Sequence, residues 1–396
     1  MGWRLKGSTK MKLADAVNIE DLRRMAKRRL PRIAFDFIEG GVEDERCLAR
    51  NENSFARHRL VPRYMVDVSR RDQSTRLFDR TYASPFGISP TGLAALFRPG
   101  ADLILAEAAA AADIPFVMSG SATASIEAAA RIAPEHTWYQ LYTARDPKVT
   151  EDLVRRARDA GFSTLVVTVD VPVPSKRERN LRNGFGLSVT FKFSTIAEAL
   201  THPAWIADYL RHGKPRFENW AYYAPPGADS TGVARFMSSQ TPATMTWNDL
   251  ETFRRLWPRH LVVKGIMHRD DALRAAEAGV DGLIISNHGG RQLDQAPAPL
   301  EVLPAIHAAV GEKIVIMLDS GVRRGADILV ALALGARFVF VGRATLYGAA
   351  AAGPPGVRKA IKILRNEIDL VMGQIGCPNL AQLDRSFLLT PDGAPA

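Results

Sequence analysis

LVVKGIMHRDDALRAAEAGVDGLIISNH, residues 261–288, reads as an apolar strand, an amphipathic helix and a second apolar strand. Leu261–Lys264 and Leu283–Ser286 are short apolar runs, and Asp271–Ala278 between them repeats its apolar positions at helical spacing. The same alternation extends both ways. Upstream lie Phe86–Ser89, Pro115–Met118, Trp138–Leu141 and Thr164–Val169, and downstream Ile314–Leu318 and Phe338–Val341. Asp152–Ala160 carries another helical repeat. Eight strands joined by amphipathic segments predict a closed (β/α)₈ barrel, a TIM barrel, rather than an open doubly wound sheet.

Two regions fall outside this repeat. Residues 1–80 read as an N-terminal helical extension, with helical periodicity over Ile19–Leu30 and a loop at Glu39-Gly40-Gly41. The barrel is expected over 81–380, with an insertion at about 186–245 after the fourth strand and a tail at 381–396. The insertion shows little periodicity and reads as a long loop. It interleaves Trp205, Tyr209, Trp220, Tyr222 and Tyr223 with Lys192, Arg211, Lys214 and Arg216. Long segments of this kind tend to be functional.

Bulk properties set the class. The 396 residues are 46% hydrophobic and 24% charged, ordinary for a globular enzyme. Lys and Arg number 52 against 42 acidic residues, a net charge of +10 that suits anionic partners without choosing among them. Cys47 and Cys377 are the only cysteines, so a reducing compartment is expected. The N-terminus, MGWRLKGSTKMK, is basic but lacks a signal-peptide core, and no run is apolar enough to span a bilayer. A cytoplasmic protein follows as the expectation, with membrane contact only at a surface. Basic residues are spread rather than clustered with a known nucleic-acid motif, so no nucleic-acid partner is expected, and no metal.

Chemistry concentrates at the strand ends. They carry Pro90-Thr91-Gly92, Ser119, Gln140 with Tyr142, Thr168 with Asp170, Lys264, Ser286-Asn287-His288, Asp319 with Gly321 and Arg323, and Gly342-Arg343. This is the rim where barrel enzymes place active sites, and turn residues alone would not supply so many charges. Glycines and arginines after both the seventh and eighth strands favour a phosphate site over simple tight turns. His288, directly after a buried strand, is placed as a general base, and Arg291 in the same loop can fork onto a carboxylate. Asp170 can orient the histidine. Lys264 ends an apolar strand and needs an anionic partner. As a Schiff-base amine or as a cation facing an electron-rich cofactor it satisfies the spacing equally.

These residues resemble a known family. SNHGGRQLD, DSGVRRG, ALALGA, VGRATLYG, VVKG, QLY and PTG are similar to the FMN-dependent 2-hydroxy acid oxidases and dehydrogenases, from LPRIAFDFIEGG to QIGCPNL. HPAWIADYLRHGKP and VGRATLYG point to the bacterial membrane-associated (S)-mandelate dehydrogenase branch, with quinone-linked L-lactate dehydrogenases next. The resemblance implies FMN as cofactor and oxidation of a small (S)-2-hydroxy acid to the 2-oxo acid. His288 would take the hydroxyl proton while a hydride passes to flavin N5, and Asp170 would pair with the imidazolium. Arg291 and Arg177 would hold the substrate carboxylate, and Tyr142 would contact the substrate oxygens. Lys264 would face the flavin N1/O2 edge, which gives that lysine a role. Pro90, Thr91, Gly92, Ser119, Gln140, Thr168 and Ser286 would line the ring. Asp319, Gly321, Arg323, Gly342 and Arg343 would hold the ribityl phosphate.

Phe37 departs from the family pattern, which usually has a tyrosine there bonding the substrate carboxylate; one lost hydrogen bond costs about 1 kcal/mol. Gly92 tends to accompany dehydrogenases that pass electrons to a quinone or other carrier, with an oxygen-using oxidase that makes hydrogen peroxide as the alternative. Ser121 is small where some relatives carry an aromatic, which leaves room for mandelate-like substrates; Pro174 lies near the same pocket and decides nothing. The insertion corresponds to the segment that attaches membrane-associated relatives, and its aromatic and basic mixture suits an anionic interface at the inner face of the cytoplasmic membrane. A soluble lid is the competing reading. Such relatives are commonly tetramers, so a homo-oligomer, a homotetramer, is the expectation here. Two other classes weigh less: barrels like IMP dehydrogenase or isopentenyl isomerase lack the SNHGGRQLD set, and an inactive flavin-binding module would not need His288, Asp170, Lys264 and Arg291 together.

Overall fold

The computed structural model describes residues 11–184, 193–240 and 245–389. Two strands, β1 (Thr75–Leu77) and β2 (Arg80–Tyr82), form an antiparallel hairpin. Eight more are β3 (Phe86–Ile88), β4 (Phe116–Met118), β5 (Thr137–Leu141), β6 (Thr164–Thr168), β7 (His260–Ile266), β8 (Gly282–Ile285), β9 (Val315–Leu318) and β10 (Phe338–Val341). These pair in chain order, all parallel, and β10 returns to β3 to close the barrel. Each expected run becomes a strand, with ends displaced by at most two residues.

Alternation along the strands divides the barrel into layers. Outward residues such as Tyr139, Leu165, Val263 and Leu283 pack under the helices in the main core. Inward residues near the strand starts, including Val117, Trp138, Val166, Val262, Ile284, Met317 and Phe340, form a separate apolar plug. Leu77 and Tyr82 of the hairpin join that plug, so the hairpin covers the lower mouth of the barrel. Two residues further along on β4 to β9 the inward position turns polar: Ser119, Gln140, Thr168, Lys264, Ser286 and Asp319. The period of two therefore builds a dry floor and a polar ceiling from the same strands.

The extension contains helices Ile19–Arg29, Arg32–Glu39 and Arg46–Ala56. The first begins where Asn18 accepts a bond from the Asp21 amide, and its apolar face buries Ile19, Leu22 and Ala26. Residues 381–389 also pack on the body: Leu383, Phe387 and Leu388 are buried, and Leu388 bridges to Leu60.

The insertion differs from the expected irregular loop. It carries helices Phe193–Ala199, Pro203–His212, Glu218–Ala221 and Ser230–Ser239. None exceeds ten residues, too short for the 3.6-residue repeat to stand out. The start signals were nonetheless present: Pro203 in the first turn, and Asp229 capping the Gly232 amide. Trp205 and Trp220 donate their indole N–H groups to the carbonyls of Leu96 and Gly120, both at 2.8 Å, which docks the segment on the polar rim. Lys192 and the segment 185–192 lie outside the described residues, as do the first ten residues and 390–396.

Candidate active site

A cavity of about 990 Å³ opens at the C-terminal rim of the barrel, bounded by the strand ends, helix Arg32–Glu39 and the insertion. Pro90, Thr91, Gly92, Tyr142, Thr168, Arg177, Lys264, His288, Arg291, Asp319, Gly321, Arg323, Gly342 and Arg343 all line it, as does Phe37. Ser119, Gln140, Ser286 and Asp170 stand behind that wall. Gln140 donates to the Thr168 hydroxyl at 2.8 Å and accepts from Ser119 at 3.1 Å; Ser286 accepts from Lys264 at 2.9 Å and from the His288 amide at 3.0 Å. The sequence set thus converges on one site in two shells.

His288 and Asp170 form its centre. The Nδ1 of His288 lies 2.9 Å from the Asp170 carboxylate, and the Tyr142 hydroxyl is 3.3 Å from Nε2. With Nδ1–H donated to Asp170, Nε2 is left as the acceptor facing the cavity. Burial is the strongest influence on His288 and pushes its proton affinity down, helped by the charges of Lys264 and Arg177 against the pull of Asp170. Burial works the other way on Asp170, but the charge of Lys264, the hydrogen bond from His288 and the attraction of His288 once protonated outweigh it and hold the carboxyl below its usual range. The result is an anionic aspartate orienting a neutral histidine, the state a general base requires.

Backbone geometry sets the histidine's direction. His288, Gly289 and Gly290 have φ of 59°, 67° and 73°, three left-handed residues in succession. A histidine in that region costs about 1–3 kcal/mol and persists only where its surroundings enforce it.

Lys264 is buried, yet its proton is held more tightly than usual. Desolvation opposes the charge, and the carboxylates of Asp319 and Asp170 overcome it. Its amine is 3.4 Å from Asp319, whose two oxygens also accept from Ser89 at 3.0 Å and Ser320 at 2.9 Å.

The remaining arginines give the cavity its sign. Arg291 donates to the carbonyls of Phe37 and Gly40 at 2.8 Å, with its guanidinium 5.2 Å from the Phe37 ring centroid. Arg343 donates to Ile38, Gly289 and Gly40 carbonyls at 2.9, 2.9 and 3.0 Å. Arg177 donates to Gln292 at 2.9 Å and Ser175 at 3.1 Å. Among the described residues none of these three has a carboxylate partner, whereas Arg323 pairs with Glu52 at 2.8 Å. Burial, reinforced by repulsion from the charges of Arg177 and Arg343, pushes Arg291 well below its ordinary value. Such a group of desolvated cations is relieved by anions, and the cavity has room for more than one.

The extension is part of this site. The C-terminal carbonyls of helix Arg32–Glu39 carry the negative end of its dipole, and they receive Arg291 and Arg343. Sequence reasoning passed over this helix end, Gly265, Met237 and the role of Asn287. Met237 lies in the insertion with its sulfur 3.7 Å from the Ser121 hydroxyl, a contact no local pattern announces.

Comparison with known proteins agrees with this geometry. The FMN-dependent dehydrogenase family pattern matches residues 26–390. The (S)-mandelate dehydrogenase of Pseudomonas putida is 41% identical over 371 residues, 94% of this chain and 93% of its own length. A putative L-lactate dehydrogenase of Mycobacterium tuberculosis is 40% identical over 98% of this chain and 94% of its own. The crystal structure of a monotopic membrane protein, (S)-mandelate dehydrogenase, superposes with a TM-score of 0.91 at 41% identity, covering 94% of this chain and 99% of that one. The chain belongs to the family of FMN-dependent 2-hydroxy acid dehydrogenases and oxidases.

Proposed function

We propose that this chain oxidises a mandelate-like (S)-2-hydroxy acid, or L-lactate, to the 2-oxo acid with His288 as the base, and passes the electrons to a quinone or another carrier. The observation that carries the reading is the Asp170–His288 pair at 2.9 Å, aimed into a cavity of uncompensated arginines.

The residues fit FMN. The Thr91 hydroxyl, on the cavity wall, is buried without a hydrogen-bond partner among the described residues, and it supplies a group for a flavin edge. Arg323, Arg343 and the Gly321 and Gly342 backbones would hold the phosphate; Lys264 would face the electron-rich edge of the ring. Bound there, FMN supplies the acceptor for the C2 hydride.

The protein's own residues do the rest. Arg291 and Arg177 bind the substrate carboxylate and so orient C2. The substrate hydroxyl sits between the Tyr142 hydroxyl and His288 Nε2, and its proton moves to Nε2 as the C–H bond breaks. Asp170 stabilises the imidazolium that results. One proton to His288 and one hydride from C2 balance the conversion of alcohol to ketone.

Ser121, small and on the cavity wall, supports mandelate-like acids over glycolate. Gly92 favours a carrier over oxygen. Leu200, Leu210 and Tyr222 of the insertion are 65%, 78% and 78% exposed, and the same segment carries exposed Arg211 and Lys214. These exposed apolar and basic side chains support contact with an anionic membrane surface; among the described residues no helix is long and apolar enough to cross one.

The test is anaerobic mixing of FMN-loaded protein with (S)-mandelate or L-lactate. Rapid bleaching of the flavin is expected, and slow recovery on readmitting air would favour a carrier over oxygen. FMN that stays oxidised with every 2-hydroxy acid would overturn the reading.

A further inference from the structure

We propose that Asn51, on helix Arg46–Ala56 of the extension, is a positioning residue that holds the His288 loop and the Gly321 loop in register with each other. Its catalytic consequence rests on His288 being the base; the geometry does not.

Asn51 and Asn287 are both buried and joined at both ends of their amides. Asn51 Nδ2 donates to Asn287 Oδ1 at 2.9 Å, and Asn287 Nδ2 donates to Asn51 Oδ1 at 2.6 Å. The same Asn287 oxygen accepts from the Gly290 amide at 3.1 Å, closing the turn that contains His288. The three residues after Asn287 are all left-handed, so the turn needs an external restraint to keep the imidazole aimed at Asp170. Asn51 supplies both a donor and an acceptor to the amide at its base.

The backbone of Asn51 restrains the second loop. A Cβ placed on Gly321 would fall 2.3 Å from the Asn51 carbonyl oxygen and 2.7 Å from its carbon. Ser54 fixes that carbonyl through a 2.9 Å hydrogen bond. One residue therefore touches the base loop with its side chain and the cationic loop after β9 with its main chain. His288 and Gly321 line the cavity, whereas Asn51 does not. It acts through them, and what anchors an anion at the Gly321 loop also steadies His288.

The test compares FMN-loaded wild type, Asn51→Leu and Asn51→Asp by hydrogen exchange, melting and anaerobic flavin reduction. Peptides covering 286–292 and 319–323 should both exchange at least about tenfold faster in Asn51→Leu. Flavin reduction at saturating acid should fall about 10–100-fold, the scale of a small misplacement of a reacting group, with the apparent substrate Kd nearly constant. Asn51→Asp keeps the acceptor and loses the donor, so it should fall between; it carries the test alone if the leucine variant does not fold. A lowered melting temperature with unchanged exchange in both loops overturns the proposal. Faster exchange with normal flavin reduction, in this variant and in His288→Asn alike, leaves the positioning role standing and removes His288 as the base.

Discussion

A methyl group on Gly265 would lie 2.6 Å from the Cβ of Asp170. Gly265 sits at the register shift of β7 with φ of 111°, between Lys264 and Ile266. The missing side chain lets the chain after β6 fold in against β7, and this brings the Asp170 carboxylate to His288. The glycine of VVKG thus serves the base as much as the strand.

Gly265→Ala should displace Asp170 as well as strain the backbone. The strain alone is expected to cost at least about 1 kcal/mol. Flavin reduction should fall by about 100-fold, the scale of a misplaced catalytic group. Urea denaturation and rapid-mixing kinetics measure the two separately; full activity in a destabilised protein would show that Asp170 tolerates the shift.

The pH profile follows from His288. Its proton affinity is depressed from the ordinary 6.5, so kcat/KM should hold down to below pH 6.5 and decline only there. Stability from this group has the same sign: it is complete above 6.5 and lost as pH falls, because the folded state resists a proton the unfolded chain accepts. Asp170→Asn removes the charge that favours imidazolium, so the acid limb should move lower still while kcat falls about 10²–10⁴-fold. An acid limb above the ordinary histidine range would contradict the burial argument.

Lys264→Met keeps the bulk but strands the Asp319 carboxylate, buried 3.4 Å away. Breaking such a pair costs about 3–5 kcal/mol. The apoprotein should therefore unfold at a clearly lower urea concentration, and the FMN-loaded variant should be harder to reduce. Equal stability would mean that Ser89 and Ser320 alone satisfy Asp319.

Phe37→Tyr adds a hydroxyl at the cavity wall beside Arg291. KM for small 2-hydroxy acids should drop several-fold, the worth of about one hydrogen bond, with little change in kcat. An unchanged or higher KM would exclude the carboxylate as its partner.

Leu210→Asp combined with Tyr222→Asp should release the protein from anionic vesicles in a flotation assay without slowing flavin reduction. Both side chains are exposed, so folding should be unaffected. Unchanged recovery with the vesicles would discard these side chains as the contact.

The barrel was legible because its strands are short apolar runs in strict alternation with helices, and the period of two also marks where the interior turns polar. His288, Asp170, Lys264 and Arg291 were legible as charges at strand ends. What escaped the sequence depended on conformation or on distance. No pattern reveals that His288 adopts φ of 59° or that Gly265 makes way for Asp170. Nor does one show that the carbonyls of Phe37 and Gly40 are reserved for Arg291, 254 and 251 residues away. The insertion was misread because its helices are brief and gain their order from Trp205 and Trp220 on the rim rather than from their own repeat.

Those long separations also shape how the protein comes into being. A ribosome releases Ile38 305 residues before Arg343, the side chain that its carbonyl receives. Until then that carbonyl lacks its side-chain donor, and Arg343, one of the cations that charge the cavity, is missing. A chain synthesised to about three-quarters of its length already contains Asp170 and His288 yet lacks β9, β10 and Arg343, so it can neither close the barrel nor finish the pocket around them. Closure over so many residues is intrinsically slow, so newly made protein should pass through a folded-looking but inert interval before it first takes up FMN.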